Sequence, residues 1–223
     1  MKVRAAIALL IITLSASIGI AARLYVPNPL GNSIFVITRI CLLVTPVVWF
    51  VVIDRRQLRW QHPRMRDVTA GLWVGLAMAG AIVGAYGLVG VRWLDPSTVQ
   101  AAAQTVGLAS PWAYTAFAIY FTVVNAFVEE YIWRWFVYQK WTQLVPAQHA
   151  IWLSAGCFTL HHIIALAGYT GHTVVTVLGA IGVFIAGAVW SWCLLRYRTL
   201  WASYISHALA DLAIALVGWH LLF

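Results

Sequence analysis

The stretch Asn125-Ala126-Phe127-Val128-Glu129-Glu130-Tyr131-Ile132-Trp133-Arg134-Trp135-Phe136 decides how the chain is read. The protein has only six acidic residues, and two of them stand side by side here in an apolar run. An ionised carboxylate in hydrocarbon is costly unless a partner or a wet cavity receives it. The fold must therefore be built to hold Glu129 and Glu130. Helical spacing separates their roles. Glu130 and Arg134 are four apart and share a face, which predicts an ion pair. Glu129 points about 100° away from Glu130, and its carboxylate is left to face the bundle interior.

The surrounding composition sets the environment. Of 223 residues, 63% are hydrophobic and 9% charged, against about 25% charged in an ordinary soluble domain. The chain reads as an all-α polytopic membrane protein forming a single membrane domain over residues 1–223. The formal net charge of +8 does not indicate nucleic-acid binding, because the basic residues cluster in short loops between apolar runs, which is a topology signal. Cys41, Cys157 and Cys193 each stand alone in apolar segments, with no disulfide or zinc-motif spacing.

Seven spans follow from the apolar runs, each long enough for a bilayer about 30 Å thick. They cover Ala5–Ala22, Ser33–Ile53, Val68–Val91, Pro111 to Gln139, Ala147–Ala167, Thr173–Leu195 and Leu200–Phe223. The first is read as a retained span rather than a cleaved signal peptide, because it exceeds the usual signal core. Arg39 is placed to snorkel from the second span. In the third, Gly71 with Gly75 and Gly80 with Gly84 form small-xxx-small pairs, which predict close helix packing. Asp95-Pro96-Ser97 predicts the start of a short helix. With a cytoplasmic N-terminus, ten basic residues fall inside (Lys2, Arg4, Arg55, Arg56, Arg59, Arg64, Arg66, Lys140, Arg196 and Arg198). Only Arg23 and Arg92 fall outside, a strong positive-inside bias.

Histidines within the spans complete the pattern. Phe158 and His162 share a face of the fifth span, and His207 and Asp211 share a face of the seventh. One histidine in an apolar helix is commonly a satisfied core residue. Three spans that each contribute a Glu or His form a different case, since each group alone needs its own buried partner.

These residues resemble the CAAX protease and bacteriocin-processing (CPBP) family. Glu129-Glu130-x-x-x-Arg134 is similar to its EExxxR motif, Phe158-x-x-x-His162 to FxxxH, and His207-x-x-x-Asp211 to HxxxN with Asp in the last place. The resemblance covers about residues 111–215, which it marks as the catalytic core in the last four spans. It implies a glutamic-type intramembrane endopeptidase related to the type II CAAX prenyl endopeptidase. In that reading Glu129 activates water and His162 orients it, while His207 and Asp211 stabilise the oxyanion. Glu130, Arg134 and Phe158 give structural support, and His161, outside the motifs, is structural or lines the cavity. Trp135 follows Arg134 where the family often has Gly.

The resemblance implies no cofactor. Zinc held by Glu129, His162 and His207 is the minor alternative on ligand chemistry. The implied partners are the lipid bilayer and a membrane-associated protein, prenylated tail or precursor peptide, and the implied location is the cytoplasmic membrane of a prokaryote. Two other functions compete. One is a proton-coupled transporter or channel using Glu129 and the histidines as a relay. The other is a catalytically silent family member acting as an immunity or scaffold protein.

Overall fold

The computed structural model describes residues 2–57 and 61–223. Arg59, one of the ten basic loop residues, lies outside them. The described residues form helices and no strand. Among the described residues, seven helices are long and apolar enough to cross a membrane. We label them α1 (Lys2–Tyr25), α2 (Pro29–Ile53), α3 (Met65–Trp93), α5 (Pro111–Trp141), α6 (Ala147–Thr170), α7 (Thr173–Tyr197) and α8 (Trp201–Leu222). A short helix α4 (Pro96–Thr105) lies between α3 and α5. The chain is an integral, polytopic, all-α membrane protein.

Local chemistry fixes the helix ends. Asn28 accepts the Gly31 backbone N–H at 3.1 Å, with Pro29 in the first turn, and starts α2. Ser110 does the same for α5 through Ala113 N–H at 3.2 Å, ahead of Pro111. Such caps satisfy donors that a helix start leaves unpaired. Asp95 caps α4 as its sequence predicts. Hydrogen bonds from the Ser97 and Thr98 hydroxyls hold the Asp95 carboxyl below its ordinary range. The fifth span runs three residues further than Ala167, to Thr170, where Gly171 at φ 59° ends it in the left-handed region.

The helix pairs α3–α8, α6–α7 and α1–α2 make the most extensive contacts, α5–α8 and α1–α6 come next, and α7 also packs on α8. The glycines of α3 account for one of these pairs. A Cβ at Gly71 would sit 2.8 Å from Ile205 Cβ, and one at Gly75 would sit 2.9 Å from Ser206 Cα. The close approach predicted for Gly71 and Gly75 is thus made, and it is made against α8. Gly80 and Gly84 differ. A Cβ at either position meets nothing within 4 Å, so their spacing does not mark a packed face.

Contacts between loops gather at two opposite ends of the bundle. At one end Lys140 pairs with Asp54, Arg64 donates to the Tyr197 carbonyl at 2.6 Å, and Trp201 donates to the Gln61 carbonyl at 2.7 Å. At the other end Arg23 donates to Asn32 at 2.7 Å, and Trp93 stacks on His172. Lys140 is buried, so it belongs to a pair tying α2 to α5 rather than to an open loop.

Within α5 the backbone widens to π-helical geometry over Tyr120–Asn125 and again over Glu130–Tyr138. Only the single turn Ala126–Glu129 between them is α-helical. The second wide segment is the most buried part of α5 and packs on α2, α6 and α7. Wide turns of this kind occur often at functional sites. This one begins at Glu130, directly after Glu129.

Candidate active site

The buried part of α5 delivers Glu129, Glu130 and Arg134. Glu130 is 0% exposed and Arg134 is equally enclosed. Their ion pair is present, with Arg134 NH1 at 3.2 Å from Glu130 Oε1. The guanidinium also lies over two aromatic faces, 4.4 Å from the Phe158 centroid and 4.8 Å from that of Trp190. Cation–π contact of this kind compensates a buried charge in part. Gly187 of α7 leaves room for it, since a Cβ there would come 3.3 Å from Arg134 NH2 and 3.1 Å from the Phe158 ring.

Glu130 has a second partner that spacing along one helix does not reveal. His207 Nδ1 lies 2.8 Å from Glu130 Oε1, within hydrogen-bond distance. One carboxylate therefore joins α5 to α8 while it pairs with Arg134. A charged acceptor in a buried site makes such a bond stronger than a neutral one. The other ring nitrogen, His207 Nε2, is 3.6 Å from Glu129 Oε2 and 3.6 Å from Asp211 Oδ1. The His207 ring itself lies flat on Trp190, with centroids 3.8 Å apart and planes at 14°. Trp190 is a site residue that motif reading misses. The sixth span looks like packing from its sequence, and no spacing rule singles out one tryptophan among thirteen.

Helix α6 brings two histidines to the same place. His162 Nδ1 lies 2.9 Å from the Phe158 carbonyl one turn back. With the proton on Nδ1, it donates to that carbonyl and leaves Nε2 free. The Phe158 ring packs against His162 at 4.4 Å, so Phe158 supports His162 with its carbonyl and Arg134 with its face. His161 stacks on Trp133 at 5.1 Å. Glu129, His161 and His162 each bring one ligand atom within 4.8 Å of the others.

The structure thus gathers Glu129, Glu130, Arg134, Phe158, His162, His207 and Asp211, and adds His161 and Trp190. The Glu129 side chain is 14% exposed, against 0% for Glu130 and 6% for Asp211. Glu129 is the most open of the three carboxylates. Arg39 is half-buried, lies over Phe35 at 4.9 Å, and is near enough for its charge to act on His161.

Residues 111–213, which hold all three motifs, match the family of type II CAAX prenyl endopeptidase Rce1-like proteins. The match covers just under half of the chain and supports a likeness to the CAAX protease family there. No curated protein and no solved structure matches it. The matched segment runs from the start of α5 into α8, and so includes every helix that contributes a Glu or His to the cluster. The family match and the seven apolar helices support an intramembrane protease in general terms, the matched family implying a protein or peptide substrate and a lipid bilayer as surroundings.

Proposed function

We propose that this protein is a CAAX-type protease that hydrolyses a peptide bond in a membrane-associated or lipid-anchored protein, using a water activated by Glu129. The observation that carries the proposal is the position of Glu129. It is the most open carboxylate of the cluster, and one oxygen lies 3.6 Å from His207 Nε2. Neither partner of the Glu130–Arg134 pair shares that access, because both are enclosed. Glu129 is therefore the carboxylate best placed to meet water.

In this reading Glu129 takes a proton from water as the oxygen adds to the scissile carbonyl carbon. His162 orients the water through Nε2, its Nδ1 being held by Phe158. The carbonyl oxygen becomes an oxyanion. The proton on Glu129 then passes to the leaving nitrogen as the C–N bond breaks, giving a carboxylic acid and an amine. His207 stabilises the oxyanion through Nε2–H. Its Nδ1–H is committed to Glu130, so the ring presents a second N–H only as an imidazolium. Preorganised donors of this type supply a large share of hydrolytic rate enhancement. Asp211, 3.6 Å from the same nitrogen, either donates to the oxyanion when protonated or holds the imidazolium when ionised.

The proposal places residues 111–215 as the catalytic core and the basic end of the bundle in the cytoplasm, in keeping with the positive-inside rule. It also places the protein in the cytoplasmic membrane of a prokaryote. The test is reconstitution with lipid-anchored and precursor peptides, comparing wild type with Glu129→Gln and His162→Ala. Cleavage should fall at least a hundredfold in both variants while their thermal midpoints in detergent stay near wild type. Undiminished cleavage by Glu129→Gln would refute the assignment.

A further inference from the structure

The geometry points to a transition-metal site formed by Glu129, His161 and His162, of the zinc class, whose occupation switches hydrolysis off. The three side chains each offer one ligand atom, and these lie within 4.8 Å of one another. Two imidazoles and one carboxylate, with water in the fourth place, are a familiar ligand set for Zn²⁺. The set differs from one built on His207. The ligand atoms that cluster among the described residues are those of Glu129, His161 and His162, without His207.

Two further observations point to a ligand. His161 is 7% exposed, and its Nδ1 is buried with no hydrogen-bond partner. Buried polar atoms in native folds are seldom left in that state. His162 is held by its Nδ1 on the Phe158 carbonyl at 2.9 Å. Metal-binding histidines almost always carry such a bond on the nitrogen away from the metal, because it fixes the tautomer and aims the other lone pair.

Charge and reach are compatible with the site. Glu129, Glu130 and Asp211 bring three carboxylates to the cluster, against Arg134 within it and Arg39 acting on His161. Ligand bonds of about 2.0–2.1 Å in tetrahedral geometry put ligand atoms about 3.3 Å apart. The three groups must close in by about 1.5 Å at most, and side-chain rotation of the partly open Glu129 and His162 can provide it. A metal there takes the lone pairs of Glu129 and His162. The site shares Glu129 and His162 with the proposed catalytic apparatus; binding itself does not depend on the catalytic reading, and only its effect on cleavage rests on it.

The experiment uses full-length protein in detergent, stripped with a chelator and titrated with Co²⁺ and then Zn²⁺. Binding is read from the visible absorption of four-coordinate Co²⁺, and cleavage is read in parallel. Wild type should bind one Co²⁺ per chain, and Zn²⁺ should displace it. His161→Phe, which keeps a ring against Trp133, should bind at least tenfold more weakly. Should that variant fail to fold, Glu129→Gln takes its place in the binding measurement. Saturating Zn²⁺ should cut wild-type cleavage at least tenfold, and chelator should restore it. No saturable binding, or wild-type affinity in His161→Phe, overturns the site. Stoichiometric binding that leaves cleavage unchanged or raises it overturns the switch. Binding is measured without substrate, so a failure to find peptidase activity is distinguishable from a failure of the site.

Discussion

Trp190 of α7 lies flat against His207 of α8, with ring centroids 3.8 Å apart and planes 14° from parallel. The tryptophan also covers the Arg134 guanidinium at 4.8 Å. It therefore borders both Arg134 and His207. Three directions hold His207: Glu130 holds Nδ1, Glu129 and Asp211 face Nε2, and Trp190 closes one ring face.

The first prediction concerns this contact. Aromatic pairs are worth about 0.5–1.5 kcal/mol beyond the area they bury. Trp190→Phe keeps an aromatic face and should retain cleavage within about threefold. Trp190→Leu loses the stacking and the cover over Arg134. Its kcat should fall about tenfold with little change in KM, because His207 is misplaced and not the substrate. Steady-state kinetics in proteoliposomes distinguish the two, and equal activity in both variants would remove Trp190 from any positioning role.

Glu130 is predicted to matter for folding as much as for chemistry. It is buried, paired with Arg134 and bonded to His207. Removing one partner of a buried pair leaves the other charge uncompensated, at a cost of about 3–5 kcal/mol. Glu130→Ala should lower the thermal midpoint in detergent well below that of Glu129→Gln. A Glu130→Ala protein that melts with the wild type would contradict the structural role.

The extent to which these relations could be read from sequence varied with their geometry. Glu130–Arg134 and Phe158–His162 lie one turn apart on single helices, so spacing alone anticipates the pairing of the first and the contact of the second. The bond from His207 to Glu130 joins residues 77 apart, and no within-helix spacing reports such a contact. Trp190 was hidden for the same reason, its partners being on α5 and α8. The wide π-helical turn at Glu130–Tyr138 is not reported by spacing rules either, because they assume regular α-helical rotation per residue. Span positions were legible because hydrophobic length is a strong signal. Glycine spacing was legible only in part. It identifies faces that can pack closely, and whether a neighbour arrives is a tertiary matter.

That difference among the α3 glycines gives a third prediction. Gly75 abuts Leu209 and Ser206 of α8, and a Cβ would fall 2.6 Å from Leu209 Cδ1. Gly80 meets nothing within 4 Å. Overpacking a close contact costs about 1–3 kcal/mol. Gly75→Val should lower the thermal midpoint and reduce cleavage, because it displaces α8, the helix that carries His207. Gly80→Val should leave both nearly unchanged. Equal effects at the two positions would mean that α3 does not set the position of α8.

The last prediction addresses the aspartate that stands where the family motif has asparagine. Asp211 Oδ1 is 3.6 Å from His207 Nε2, so a carboxamide in its place can reach the same space. An amide donates a hydrogen bond without needing a proton from solution, whereas a carboxyl donates only when protonated. If residue 211 acts as an oxyanion donor, Asp211→Asn should keep cleavage within about threefold of wild type, and Asp211→Leu should lose at least tenfold. If the carboxylate instead holds His207 as an imidazolium, both substitutions should lose activity alike, since neither carries the charge. The first pattern assigns Asp211 the donor role and the second the charge-holding role, and kcat for the two variants at one fixed pH decides between them.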